Sequence, residues 1–267
     1  MSRGFEVASS TMATVLRLGA GLKARPGARQ PEKLLELYEF EACPYCRRVR
    51  EAMSEFDLDA MVYPCPRGGT RFRPKVVAMG GSSRFPYLVD PNIPREPASG
   101  LSEPGSRREA GSNPADGPRA MYESADIVKY LRETYGGPSA PMWLGPLALV
   151  TAGMAAGMRA GHGRAAVPSR PAEKPLELWS FEGSPYCRLV RETLCELELS
   201  YVLHNVAKGS PRRGAFVARS GKMLVPYLVD PNADGPAAAG MFESADIVRY
   251  LVDTYGTMGA TRAQGTG

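Results

Sequence analysis

The sequence predicts an α/β protein built from two copies of one β-α-β-α-β-β-α unit, and three repeated segments carry that reading. "LELYEFEACPYCRRVRE" (Leu35 to Glu51) returns as "LELWSFEGSPYCRLVRE" (Leu176 to Glu192) at an offset of 141. "PYLVDPN" at Pro86 returns at Pro226, an offset of 140, and "MYESADIVKYLRETYG" from Met121 returns as "MFESADIVRYLVDTYG" from Met241, an offset of 120. Self-similarity of this kind marks duplicated structural units. The offset drops by 20 between the last two pairs, so the first copy carries 20 extra residues within "IPREPASGLSEPGSRREAGSNPADGPRA". Its Pro, Gly, Ser and charge predict a disordered surface insertion at about 93–120.

Each element follows from local pattern. "LELYEF" and "LELWSF" are short apolar runs of strand length. In the helix after each, Val49, Met53 and Phe56, and likewise Val190, Leu194 and Leu197, fall at i, i+4, i+7 and form one apolar face. "AMVYPC" and "SYVLHNV" read as second strands, and "FRPKVVAMGG" and "PRRGAFVARSG" as short basic helices stopped by glycine. "PYLVD" is a third strand, "MYE" and "MFE" a short fourth, and the closing helices begin at Ser124 and Ser244. Helical crossovers plus a final hairpin give each unit a mixed four-stranded sheet with flanking helices. A match between "GAGLKA" (Gly19 to Ala24) and "AAGMRA" (Ala155 to Ala160) suggests that a short helix precedes each unit.

The expected organisation is a basic lead-in over 1–33, a first domain over 34–137, a linker over 138–175, a second domain over 176–257 and a flexible tail over 258–267. Of the net charge of +5, the first 30 residues contribute +4 through Arg3, Arg17, Lys23, Arg25 and Arg29 against Glu6. No Lys/Arg run interleaved with aromatics marks a nucleic-acid surface, so nucleic acid is not an expected partner. The lead-in has the composition of part of an organellar transit peptide and lacks the apolar run of a secretory signal. Five cysteines without a framework of even spacings point to a reducing compartment. The linker has no charged side chain from Thr134 to Met158, but its apolar core, Trp143 to Val150, falls short of the ~20 residues of a span. A packed linker helix is the first reading, and contact with a membrane surface the alternative.

The chemistry concentrates at the start of the first helix. A cysteine there, directly after a strand, lies beside unpaired backbone N–H groups at the positive end of the helix dipole, which favours the thiolate. Cys43 is therefore the candidate nucleophile and Cys46, one turn on, the thiol that resolves a mixed disulfide at Cys43. A zinc half-site is the competing reading of Cys-x-x-Cys, but Cys65, Cys195, His162 and His204 form no second pair, and no metal is expected. Pro86 and Pro226 open strand-like runs, either as cis prolines or as trans edge prolines. Ser124 and Ser244 read as helix N-caps, and a serine with free N–H groups there is equally a receptor for a small carboxylate.

Together these residues resemble the thioredoxin fold of glutaredoxins and of the glutathione S-transferase N-terminal domain, over about Leu35–Gly136 and Leu176–Gly256. "CPYC" looks like the dithiol glutaredoxin motif, "FPYLVD" and "VPYLVD" like the cis-proline strand, and "ESADIVKYL" and "ESADIVRYL" like the transferase "ES-x-x-I-x-x-YL" signature. The tandem arrangement is similar to plastid proteins of plants and algae. The resemblance implies two tandem thioredoxin-like domains, glutathione as co-substrate, protein disulfides or glutathionylated proteins as partners, and a chloroplast location. It implies that the backbone of Phe85, before Pro86, clamps the cysteinyl part of glutathione and that Glu123 and Ser124 hold its γ-glutamyl end. In the second unit Ser184 and Cys187 take the motif positions as a second candidate site, and Val225, Pro226, Glu243 and Ser244 take the glutathione positions.

Departures shape the expected function. Glu41 stands two residues before Cys43, where glutaredoxins carry a nearby lysine, and a carboxylate there is expected to raise the thiol pKa, with Arg47 and Arg48 offsetting it. Neither unit precedes a long helical domain, which argues against conjugation of bulky electrophiles. Ser184 cannot form a disulfide: it is a donor to a bound thiolate, a plain cap after loss of activity, or the neighbour of a monothiol Cys187. The leading expectation is a glutathione-linked thiol-disulfide oxidoreductase acting through the first unit, with the second a degenerate or glutathione-binding copy. The alternatives are a redox-sensing or scaffolding module without turnover, and a glutathione transferase.

Overall fold

The computed structural model describes residues 3–17, 19–27, 29–94, 117–136, 147–157, 159 and 161–257. The first unit comprises β1 (Leu35–Glu39), α2 (Pro44–Phe56), β2 (Ala60–Pro64), α3 (Arg73–Gly80), β3 (Tyr87–Pro94), β4 (Pro118–Met121) and α4 (Ser124–Tyr135), preceded by α1 (Arg3–Val15). The second comprises β5 (Leu176–Ser180), α6 (Pro185–Glu196), β6 (Tyr201–Asn205), α7 (Arg213–Ser220), β7 (Tyr227–Val229), α8 (Pro236–Ala239) and α9 (Ser244–Tyr255), preceded by α5 (Leu147–Gly157). Within each unit the first two strands run parallel across a helical crossover and the third pairs antiparallel with the first. This is the thioredoxin-like sheet the repeat predicts.

The second unit's fourth strand is reduced to one bridge between Leu228 and Met241, with α8 filling the turn before it. The first unit keeps a full β4, and both ends of its insertion are ordered strand, Pro94 facing Pro118. The disorder expected at 93–120 therefore does not reach 93–94 or 118–120, and residues 95–116 lie outside the described residues, as do the linker positions 137–146 and the tail 258–267.

Local pattern did not announce that the two sheets would merge. β2 and β6 pair antiparallel, giving one seven-stranded sheet in the order β4-β3-β1-β2-β6-β5-β7. Met61 faces Val202, its own repeat equivalent at offset 141, so a two-fold relating the units passes between them. The contact has the self-complementary form of a symmetric homodimer, written within one chain. Pairing also removes two otherwise open sheet edges. One apolar core runs through both halves, with Leu37, Met53 and Leu88 on one side and Leu178, Leu194 and Leu228 on the other.

The leaders cross. α1 packs on α6 of the second unit and α5 packs on α2 of the first. The strand-like stretch after α1 bridges Lys23 to Lys208, and the stretch after α5 bridges Ala165 to Arg67. Arg17 then returns to Glu51 with a 2.8 Å hydrogen bond, and Arg159 to Glu192 with one of 2.9 Å. The preceding helix of each unit is thus real, but the first lies at 3–15, and Gly19 to Ala24 form turns rather than a helix.

Across the pseudo-two-fold runs a closed ring of buried charge. Arg50 Nε donates to Glu182 Oε2 at 2.9 Å, and Arg191 Nη2 donates to the same oxygen at 2.7 Å. Arg191 Nε donates to Glu41 Oε2 at 3.1 Å, and Arg50 Nη2 lies 3.3 Å from Glu41 Oε1. Glu41 and Glu182 are repeat equivalents, as are Arg50 and Arg191, and all four are buried. Burial alone would raise the Glu182 carboxyl, but the guanidinium groups of Arg191, Arg50, Arg47 and Arg188 hold it well below the usual carboxylate range.

Removing Glu182 leaves four buried guanidinium groups, Arg47, Arg50, Arg188 and Arg191, to share the remaining carboxylates. Glu182→Gln is expected to cost about 3–5 kcal/mol in urea unfolding, whereas Arg249→Ala, which breaks an exposed pair with Asp246, costs under about 1 kcal/mol. Because the folded pKa of Glu182 is depressed, its contribution is present above the unfolded value of about 4.3 and fades as pH falls below it. The acid limb of the stability profile should flatten in the glutamine variant.

Candidate functional site

The first helix of each unit starts as the motif predicts. Cys43 is the N-cap of α2 and its Sγ accepts the Cys46 N–H at 3.3 Å, with Pro44 opening the helix. Ser184 caps α6 identically, its Oγ accepting the Cys187 N–H at 3.3 Å. The serine thus keeps the cap and discards the thiol. Cys43 and Cys46 are both free thiols, 3% and 0% exposed.

The two thiols titrate apart. A hydrogen bond from Cys46 lowers the Cys43 pKa, burial opposes it, and the N–H groups of Cys46 and Tyr45 lower it further, so the net direction is down. Burial, the bond to Cys43 and the nearby charges push Cys46 well up. Burial also raises Cys187, against a hydrogen bond from Ser184 and the charge of Arg191. Cys65 and Cys195 are buried with raised pKa values, burial being the first cause in both. Cys195 is structural: its Sγ accepts the Glu41 N–H at 3.4 Å, where its equivalent Ser54 accepts the Glu182 N–H at 3.0 Å.

The Glu41 carboxylate is held by Arg191 and Arg50, and a second carboxylate, Glu39 on β1, raises the Cys43 pKa. Arg47 and Arg48 are engaged elsewhere, Arg47 with Glu51 at 3.1 Å and Arg48 with Ser124 Oγ at 3.4 Å. Glu39 was missed because it reads as an ordinary outward strand residue, although Ser180 at the matching position marks it as a difference between the units.

The Phe85–Pro86 and Val225–Pro226 bonds are both cis. Phe40, just before the motif loop, meets the Phe85 ring edge-on at 6.2 Å, and the Arg73 guanidinium lies 4.7 Å from the centre of the Phe85 ring. Arg84 lies 3.6 Å from Glu123, so the proline loop and the start of α4 are linked at the surface. Ser124 is not the N-cap: α4 begins at Ser124, and the cap position belongs to Glu123 at φ 69°, ψ 111°. Glu243 repeats this at φ 66°, ψ 111° before Ser244. A non-glycine residue in that region is strained, and the same strain recurs in both units. Arg48 ties Ser124 to α2, whereas Leu189 at the equivalent position makes no such link in the second unit.

Access to Cys43 is restricted. Cys43 lines a void of about 10 Å³ shared with Ala155 and Ala156 of α5, and the Ala42 N–H donates to Gly163 O at 3.1 Å. That void holds one water at most.

Two cis-proline loops, two helix-capping motif positions and a mixed sheet define a tandem thioredoxin-like protein. Residues 37–101 and 178–259 match the family model described as glutathione S-transferase, N-terminal domain, which covers more than half of the chain. The chain belongs to that family, with two copies of its domain, and the family implies binding of glutathione. No curated protein and no solved structure matches it. Among the described residues no group of three or more His, Cys, Asp and Glu is arranged to hold a metal ion, and no helix is long and apolar enough to cross a membrane.

Glu39→Gln removes the carboxylate that disfavours the Cys43 thiolate. The pH midpoint of Cys43 alkylation should fall relative to wild type, read by iodoacetamide labelling and mass spectrometry. An unchanged midpoint would show that the charge of Glu39 does not reach the sulfur.

Proposed function

We propose that the first unit is a glutathione-linked thiol-disulfide oxidoreductase, with Cys43 as nucleophile and Cys46 as resolving thiol. The observation that carries this reading is the placement of two sulfurs one helical turn apart, Cys43 as the cap of α2 with its Sγ accepting the Cys46 N–H at 3.3 Å and Cys46 fully buried inside the helix. The Cys43 thiolate attacks the sulfur of a glutathionylated substrate, the old S–S bond breaks, and the substrate thiolate leaves and takes up a proton. Cys46, losing its proton, attacks the resulting Cys43–glutathione disulfide, which expels glutathione thiolate and closes Cys43–Cys46. Two further glutathione molecules reduce that bond and leave as glutathione disulfide, so electrons and protons balance. Phe85, Pro86, Glu123 and Ser124 are the residues proposed to hold glutathione, Glu123 through its strained backbone and Ser124 beside Arg48.

The second unit is proposed as a non-catalytic copy. Ser184 offers no sulfur, and Cys187 is 0% exposed with a raised pKa. Val225, Pro226, Glu243 and Ser244 keep the backbone features of the glutathione position, so binding there without exchange is the proposed role. Protein disulfides and glutathionylated proteins are the proposed partners, and a chloroplast location rests on the resemblance to plastid proteins.

A second reading has its own support. Cys43 lies beneath Ala155 and Ala156, so exchange needs α5 to move off α2, and a module used only for docking would keep that cover closed. Reduction of a glutathionylated peptide by glutathione separates the two. For the oxidoreductase, Cys43→Ser should lose at least about a hundredfold in rate, the range for removing a nucleophile, while Cys46→Ser retains turnover through a monothiol route. Absence of turnover in wild type with intact glutathione binding would favour the docking module.

A further inference from the structure

The two units are near copies, so a place where a buried hydrogen bond of one is missing from the other is informative. After α5, the leader of the second unit lies along α6: the Gly163 N–H donates to Glu196 Oε1 at 2.7 Å and the Val167 N–H to Glu196 O at 2.9 Å. After α1, the leader of the first unit makes the matching backbone bond, Arg25 N–H to Glu55 O at 2.5 Å. The side-chain bond is missing. Gly21 occupies the position of Gly163, each lying against the Glu side chain of the opposite unit, yet Glu55 Oε1 is buried with no hydrogen-bond partner among the described residues.

In its place stands a cavity of about 290 Å³ between the leader, α2 and Val128 of α4. It is lined by both Glu55 and Arg48, and Arg48 Nε is a second buried atom without a hydrogen-bond partner among the described residues. Arg48 Nη1 holds Ser124 Oγ, which fixes the guanidinium with Nε left over. The second unit has Leu189 at this position and so carries no counterpart of that donor. Burial raises the Glu55 carboxyl pKa, with Arg25 and Arg132 opposing. The lining also holds Lys23, Arg25 and the Arg17–Glu51 ion pair.

Arg48 and Glu55 are seven residues apart on one helix face, about 10 Å along the axis. A free tripeptide in extended form spans about the same length, ~3.3–3.6 Å per residue. We propose that this cavity is a binding site, separate from the Cys43 centre, for a small zwitterion with charges about 10 Å apart, the chemistry of a short free peptide. Its carboxylate meets Arg48 and its ammonium meets Glu55. The second unit carries Leu189 in place of the Arg48 anchor, and the existence of the site does not depend on thiol exchange at Cys43.

Isothermal titration calorimetry of the full chain with triglycine tests this, because triglycine carries both termini and no thiol. Saturable one-to-one binding is expected, weakened at least about tenfold by Glu55→Gln and by Arg48→Leu, the scale of one lost charge-assisted hydrogen bond. N-acetyl-triglycine, without the cation, and triglycine amide, without the anion, should each lose a similar factor. Leucine is what the second unit carries at the Arg48 position, and thermal melting checks that both variants fold; should one fail to fold, the other and the two blocked peptides decide. No saturable heat, equal affinity in the folded variants, or equal affinity for the blocked peptides would overturn the proposal. Displacement of triglycine by glutathione that Glu55→Gln leaves unchanged would overturn it too, by placing the peptide in the glutathione position. Loss of disulfide exchange in Cys43→Ser with triglycine binding intact would leave this site standing and bear only on the oxidoreductase.

Discussion

The structure depends on the four-membered ring of Arg50, Glu182, Arg191 and Glu41. Each carboxylate takes a guanidinium from its own unit and another from the opposite unit, so neither half can satisfy its charges alone. Such groups are costly to bury unless paired and hydrogen-bonded, and the pairing exists only when the units are docked at one geometry. The ring therefore specifies the docking more than it stabilises it. The apolar core and the β2–β6 pairing supply the favourable free energy, and the charges reject other registers.

This constraint also explains why both motif loops are buried. The residues that start α2 and α6 lie beside the pseudo-two-fold, and the crossed leaders close over them from opposite sides. Glu41, two residues before Cys43, is drawn into the ring. Glu39 raises the Cys43 thiol pKa and pairs with Arg50 at the same time. Burial raises Glu39 to about 7, Arg50 opposes and Glu41 adds to the rise, so thiol chemistry and inter-unit docking share one set of charges.

Symmetry within one chain lets the halves diverge without changing partner. The second unit has serine where the first has Cys43 but shares the cap bond that starts α6, and in place of a full fourth strand it has the Leu228–Met241 bridge. Asp90 is held by Tyr130 and Tyr135, and Asp230 by Tyr250 and Tyr255, so the docking of α4 and α9 remained under the same packing demand. The first unit differs at Glu39, Arg48 and the cavity beside Glu55, all on the side that carries Cys43.

What the sequence by itself determined is everything set by local period and by copy number: two units, the order of strands and helices in each, the cysteine at a helix start, the prolines at the strand starts. Apolar spacing and turn chemistry act over a few residues, so they are readable in order along the chain. The cap at Glu123 was misplaced by one residue because a positive-φ glutamate cannot be inferred from composition. Only the tertiary structure decided that β2 and β6 join, that each leader covers the other unit, and that Glu41 belongs to a ring with Arg191. Those contacts link residues 132 to 150 positions apart, as in Arg50–Glu182 and Arg191–Glu41, and no local pattern encodes which distant partner a buried charge will find.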